Sequence, residues 1–304
     1  MLRQRQRQMV QDQYYANSYY GLSVSTLMWQ LAGDLGKTSN YLLWLAIVGV
    51  TDQFVHERVD MELYEEMVRN LSDDVKRMNV VDAEADDREA VDRMQIKPTL
   101  ELRFMLLRHW TLFEAMFHSR YVAARLGVWR GKGKDRLKDL LAKMGVSLEQ
   151  CQQKFTSMDV RVRDTLFEQI NKCAPDFGLD NCVIESFISQ AGFQQPLSAS
   201  DVVYAVTALL EAAVDVADSW RDNFYAAYDA LAPSKHHLLV RGMDLSMQQH
   251  INILRLVESI VDGKNGLRKA TVCCLLSLSL SLSLSLSLKN ERKKRKRRKE
   301  KKWC

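Results

Sequence analysis

Apolar positions along the chain fall into short helical repeats separated by polar turns. Val24, Leu27, Met28, Leu31 and Leu35 recur at three- and four-residue steps and predict a helix near Ser23 to Leu35, ended at Gly36. Leu42 to Val50 is almost continuously apolar, so both faces of that element should be covered by protein. From Ser72 to Arg93 the chain is dense in Asp and Glu, which reads as a solvated loop or helix surface. Pro98 suits a helix start. Leu102, Met105, Leu106, His109, Trp110, Phe113, Met116 and Phe117 then form a stripe that predicts a long core helix.

Further on, "KDRLKDLLAKMG", closed by Gly145, and "DVRVRDTLFEQINKCAPDFG", closed before Pro175, predict shorter helices. In "CVIESFISQAGF" the alternation of Val183, Glu185, Phe187 and Ser189 predicts a short strand. Ser198 to Asp201 forms an S-x-x-D cap ahead of the amphipathic "VVYAVTALLEAAVDVA", and a last helical pattern spans about Met247 to Val261.

Composition agrees with a mainly α chain: 304 residues, 47% apolar and 27% charged, with four Pro and thirteen Gly. The net charge of +5 hides two different objects. Residues 289–304 hold eleven Lys/Arg against two Glu, a net of +9, which leaves residues 1–288 at 32 Lys/Arg against 36 Asp/Glu, a net of −4. The basic overall balance is therefore no argument for nucleic-acid binding by the body. Six cysteines show no CxxC pair, and "MLRQRQRQMVQDQYY" has no apolar signal region, so a reduced, intracellular chain is expected. Cys151, Cys173 and Cys182 read as small buried hydrophobes.

Residues 275–288, "LLSLSLSLSLSLSL", are too short and, with six Ser, too polar for a membrane span of ~20 residues. As a strand the repeat could not fix its register, because a two-residue slip changes nothing. The codons CTC and TCT encode Leu and Ser, so an in-frame CT dinucleotide repeat would give this pattern. Purine-only codons would give most of the Lys, Arg and Glu that follow. Residues from about 271 onward are thus read as translated non-coding or frame-shifted sequence. The rival reading of 292–302 is a nuclear-localisation or nucleic-acid patch.

Constellations that would carry catalysis fail on spacing. "GVWRGKGK" (127–134) lacks the glycine spacing and the Ser/Thr of a phosphate-cradling loop and reads as a basic loop between helices. Lys132, Lys134, Arg136 and Lys138 are candidate contacts for a partner or a phosphate. His56, His109, His118 and His250 form no H-E-x-x-H pair, and His109, on the apolar stripe, reads as a hydrogen-bonded core residue. His236 and His237 are similar to the His pair of Asp-His-His phosphoesterases, but Lys235 stands where the carboxylate would be. No G-x-S-x-G serine and no cysteine with an identifiable base is present.

Five stretches, in order, carry a resemblance: "LLWLAIVGVTDQF" (42–54), "ELRFMLLRHWTLFEAMF" (101–117), "RYVAARLGVW" (120–129), "KFTSMDV" (154–160) and "AGFQQPLSASDVVYAVTALLE" (191–211). Over roughly Tyr14 to Val261 the chain resembles the cell division control protein 45 family. That resemblance implies a mainly α fold: the C-terminal part of an α/β DHH-like domain followed by a helical inserted domain, with a disordered low-complexity tail. The implied divisions are a polar segment 1–13, a DHH-like remnant 14–60, and an acidic linker or helix 61–97. A helical inserted domain 98–190, a connecting segment 191–262 and the tail 263–304 follow.

In active relatives of the DHH superfamily a turn after an apolar strand supplies a metal ligand. "GVTD" would put Asp52 there, as a vestigial ligand position capping the turn. No catalytic residue, metal or cofactor is expected, since one carboxylate cannot hold the divalent ions of that chemistry. The resemblance implies a nuclear, non-catalytic DNA replication initiation and elongation factor. Its partners would be the MCM helicase subunits and the GINS complex, on replication-origin chromatin and single-stranded DNA, with no membrane. The alternative is a metal-dependent, DHH-type single-strand exonuclease or phosphodiesterase. A further expectation is that the Leu42–Val50 element leaves an uncovered apolar patch.

Overall fold

Ser23 starts the ordered sequence of helices: its Oγ accepts from the Thr26 N–H at 3.2 Å and caps α1, Val24–Asp34. Gly36, at φ 64°, reverses the chain in the left-handed conformation that a side chain disfavours. Ser39 caps α2, Asn40–Val55, in the same way through Leu42 N–H. The computed structural model describes residues 20–83, 94–191, 195–212 and 219–261.

α2 is the apolar stretch read from the sequence, and it is a helix with Leu43, Ala46, Ile47, Val50 and Phe54 buried. A helix apolar all round belongs inside, and here it packs against α1 and against α3, Met61–Ala83. The expected uncovered patch is therefore not on Leu42–Val50. On α3, Tyr64, Met67, Val68, Leu71, Val75 and Met78 repeat at helical spacing and are all buried, and Phe54 stacks on Tyr64 at 4.1 Å. The acidic stretch from Ser72 is helical as far as Ala83, and its remainder to Arg93 lies outside the described residues.

The chain divides into two compact units between Lys97 and Pro98. β1, Met94–Leu102, crosses that division and is an edge strand of a three-stranded sheet in the order β1, β2, β3. β2 is Val183–Ala191 and β3 is Leu197–Ser198, paired antiparallel with Ile188 opposite Ser198 and Ser189 opposite Leu197. The strand expected from "CVIESFISQAGF" is present.

The long helix expected from Pro98 to Phe117 is not. Pro98 lies in β1, at an edge where a missing N–H is tolerated. Phe104, Met105 and Leu106 are all buried, and Leu106 takes φ 48°, so the chain turns rather than coils. A 3-10 turn, Leu107–His109, leads to Thr111, whose Oγ1 accepts from Glu114 N–H at 3.1 Å and caps α4, Leu112–His118. The apolar stripe is real, but a strand, a turn and a short helix share it, and all three feed one core.

The rest of that core comes from α5, Arg120–Leu126; α6, Gly131–Lys143; α7, Leu148–Gln152; and α8, Val160–Cys173. Gly145, at φ 74°, closes the turn after α6 where the sequence placed a helix end, and α8, expected to close before Pro175, ends at Cys173 and is followed by a 3-10 turn to Gly178 at φ 75°. Leu112, Val122, Leu137, Leu141 and Cys151 are at 0% exposure in this cluster. Cys151, Cys173 and Cys182 are free and buried, as expected of small hydrophobes.

Three helices complete the described chain: α9, Ala199–Leu210; α10, Ser219–Ala230; and α11, His236–Val261. Ser198 Oγ accepts from the N–H groups of Ser200 and Asp201, so the predicted cap is the cap of α9. α10 was not foreseen, and α11 starts eleven residues earlier than its pattern suggested. α9 packs on both, and a Cβ on Gly242 of α11 would lie 2.5 Å from Ala205 O, so the two backbones touch. The chain is mainly helical with a small antiparallel sheet. The Leu-Ser repeat and the basic run lie outside the described residues.

Candidate functional site

Asp52 is in the fourth turn of α2 and does not follow a strand, so "GVTD" is not the turn expected of a DHH-like ligand. Its Oδ2 accepts from Arg58 Nη1 at 2.8 Å, and Oδ1 stands 3.0 Å from His56 Nδ1. Both oxygens serve side chains of the same unit. No group of three or more His, Cys, Asp or Glu among the described residues could hold a metal ion. His236 and His237 open α11, and the preceding Lys235 pairs with Asp229 at the end of α10.

The basic residues singled out from the sequence are on α6, not on a loop. At 100° per residue Lys132 and Arg136 share one side of the helix, and Lys134 and Lys138 another. Lys134 Nζ pairs with Glu258 Oε1 of α11 at 2.8 Å, Arg136 Nη2 donates to Phe177 O at 3.0 Å, and Lys132 and Lys138 are exposed. The four do not converge on one point. The glycines have a packing role: a Cβ on Gly133 would lie 2.1 Å from Gly127 O, whereas Gly131 faces open space.

A charged network is buried where β1, the 3-10 turn and α9 meet. Glu101 is 6% and Asp201 4% exposed. Arg108 Nη1 donates to Glu101 Oε1 at 2.7 Å and stands 3.8 Å from Asp201 Oδ2, while Ser200 Oγ donates to Glu101 Oε2 at 2.9 Å. Burial pulls the Arg108 guanidinium down, but Glu101 and Asp201 outweigh it and hold Arg108 above its ordinary value. His109 Nε2 is 3.6 Å from Asp201 Oδ2 and its side chain is partly exposed, so His109 is not the core histidine expected. That position belongs to His118, buried against the Trp110 ring at 4.8 Å with Nε2 2.9 Å from Glu114 Oε2. Glu101 is satisfied by Arg108 and Ser200, whereas the buried Asp201 Oδ2 accepts no hydrogen bond and has only the charges of Arg108 and His109 near it; the network acts as a clip between elements.

The outward features are apolar. On α10, Trp220, Phe224 and Tyr228 recur at four-residue steps on one side with Tyr225 beside them, 60%, 53%, 66% and 62% exposed. The Phe224 and Tyr228 rings lie 6.4 Å apart and nearly parallel, and the Arg221 guanidinium sits 5.2 Å from the Trp220 ring centre. Around them Arg221 and Lys235 balance Asp222 and Asp229. Exposed Trp, Tyr and Phe with an Arg is the composition of protein-binding hot spots, whereas phosphate binding needs an excess of cations. This face was missed from the sequence, although the i, i+4, i+8 aromatics in "WRDNFYAAY" carry its signal.

The CDC45 family profile matches residues 1–278, beyond Val261, where the resemblance read from the residues stops. The Cell division control protein 45 homolog of Dictyostelium discoideum is 33% identical over 278 residues, covering 82% of this chain and 43% of that protein. The Homo sapiens homolog is 35% identical over 236 residues, covering 78% and 42%. The crystal structure of CDC45 from Entamoeba histolytica has a TM-score of 0.68 at 24% identity, over 80% of this chain and 48% of that one, a likeness of fold. The chain thus spans less than half the length of these relatives. No helix among the described residues is long and apolar enough to cross a membrane.

Proposed function

The chain belongs to the CDC45 family, and from that premise we propose that it serves in the initiation of DNA replication as a non-catalytic docking subunit in the nucleus. The observation that carries this reading is the exposed aromatic side of α10, a surface built to be covered by another protein. Its partners are the MCM helicase subunits and the GINS complex. Chromatin and single-stranded DNA are reached through them, because the balanced charge around α10 offers phosphate little. The pairing of Asp52 with Arg58 and His56 supports a role without hydrolysis.

The test is a pull-down of recombinant MCM and GINS by the full chain, with affinities from interferometry. The triple variant Trp220→Ala/Phe224→Ala/Tyr228→Ala should bind at least about a hundredfold more weakly, since truncating one hot-spot ring costs about 2 kcal/mol or more. Wild-type binding that survives the triple variant unchanged refutes the docking role of α10. Absence of binding to either complex refutes the proposed partners.

A further inference from the structure

α1 and α3 both pack on α2, and the bond from Trp29 Nε1 to Asp74 Oδ2, 2.7 Å long, ties the two outer helices together. Beside that bond lies a cavity of about 340 Å³ lined by residues of all three helices. It stays open because α1 offers little to fill it. Gly33 lines it without a side chain, and a Cβ built there would meet nothing within 4 Å. Every lining residue belongs to the Met1–Lys97 unit, so the cavity is a feature of one compact body.

Its lining is graded in polarity. Trp29, Val50, Met67 and Leu71 are buried and supply apolar walls, whereas Gln30, Asp34, Thr38, Asn70 and Arg77 are exposed and form a polar rim. Apolar walls under a few polar groups are the makeup of small-ligand sites, and this volume falls at the small end of their range of about 300–1,000 Å³. A helix or strand of another protein does not fit such a space; one ring system with a short arm does. The Trp29 indole, held by Asp74, and the Met67 thioether are surfaces that favour a flat aromatic ring.

Charge at the rim selects the arm. Asp74 accepts from Trp29 Nε1 and, at 2.6 Å, from Arg77 Nη2, so the charges of Asp74 and Arg77 match each other. Asp34 has no hydrogen bond or ion pair among the described residues, and Lys37 does not line the cavity. Asp34 is also the last residue of α1, where the carbonyl end of the helix favours a cation. Residues 20–83 hold ten Asp/Glu against five Lys/Arg, a net of −5, and that field draws a cation and repels an anion. We infer that this cavity is a binding site for a small arylalkylamine, with the ring between the Trp29, Met67 and Leu71 walls and the ammonium at Asp34. The site shares no residue with the aromatic side of α10, so it stands or falls apart from the docking role.

The experiment titrates the full chain with tryptamine, tryptophol and indolepropionate, which share a ring and differ in the charge of the arm. Calorimetry reads affinity, and the Trp29 indole N–H resonance, assigned with Trp29→Phe, reports location. Tryptamine should bind with a Kd of about 1 mM or tighter and shift that resonance. At low salt tryptophol should bind about threefold more weakly, and indolepropionate more weakly still. Asp34→Asn should remove the preference for the amine. Gly33→Leu, which improves helix propensity and fills the open space, should weaken tryptamine at least about tenfold. Should Gly33→Leu not fold, the Trp29 shift and Asp34→Asn decide. No saturable tryptamine binding, binding that leaves the Trp29 resonance in place or survives Gly33→Leu unchanged, or equal affinity for the three probes would each overturn the inference.

Discussion

Replacing Arg108 by Met keeps the length and stem of the side chain and deletes its charge. Glu101, 6% exposed, then retains only the Ser200 hydroxyl, and Asp201, 4% exposed, retains only His109 at 3.6 Å. Removing one partner of a buried pair costs about 3–5 kcal/mol, because the other charge is left in a poorly solvated place. The Arg108 side chain is 35% exposed, so water already screens part of its pairing and the lower end applies, about 3 kcal/mol. For a folding unit of this size that corresponds to a Tm lower by about 6–12 °C. Differential scanning calorimetry and urea titration measure it, with amide exchange in α9 reporting the local loss. Adding Glu101→Gln to Arg108→Met should recover about 1 kcal/mol or more, since it removes a stranded carboxylate. The comparison is Arg58→Met, whose bond to Asp52 joins two side chains each about a third exposed and should be worth less than about 1 kcal/mol. If Arg108→Met and Arg58→Met destabilise equally, burial is not what makes the network matter.

Gly133→Ala should destabilise by about 1–3 kcal/mol, since its Cβ would meet Gly127 O at 2.1 Å, while Gly131→Ala, with nothing within 4 Å, should be neutral or slightly stabilising. Urea midpoints that move together would show that helix propensity and not packing governs the turn. Burial pushes the Cys151 and Cys182 thiols up to about 11 from an ordinary 9.0, so at pH 8 their thiolate fraction is about a hundredfold smaller and peptide-level alkylation of the native protein should spare both. Because the folded state holds these protons more tightly than the unfolded chain, the stability they contribute is complete below about pH 9 and is lost as pH rises through about 11. Cys151→Ala should flatten that alkaline slope, and a slope that is unchanged would contradict it.

What could be read from the sequence was local. The cap at Ser198 and the stops at Gly36 and Gly145 depend on groups a few residues apart, and the structure has them in place. Where an assignment needed a distant partner, the pattern misled. The 102–117 stripe satisfies helical spacing, yet its residues reach one core from a strand edge, a left-handed turn at Leu106 and a four-residue-step helix, because burial is set by what packs above them. Asp52 was placed after a strand on a motif of four residues, but the sixteen apolar-rich positions around it propagate a helix that no turn interrupts.

The same limit applies to the surfaces that matter for function. A hydrophobic repeat states that a helix has two sides; it does not state which of them faces in. α3 and α1 carry similar repeats, and one is buried while the other is in solvent. The difference lies in Gly49 and Asp74, residues of other helices that admit Ser25 and hold Trp29 and so decide how α1 is rotated. Conversely Glu101 and Asp201 look like surface acids, and Arg108 and Ser200 make them interior. Charge enclosed among partners of its own chain and aliphatic side chains turned outward are both placements that a hydrophobic repeat alone does not foresee. Which side of α1 faces outward could not be told before the packing of its neighbours was known, whereas the aromatic steps of α10 already stand in the sequence.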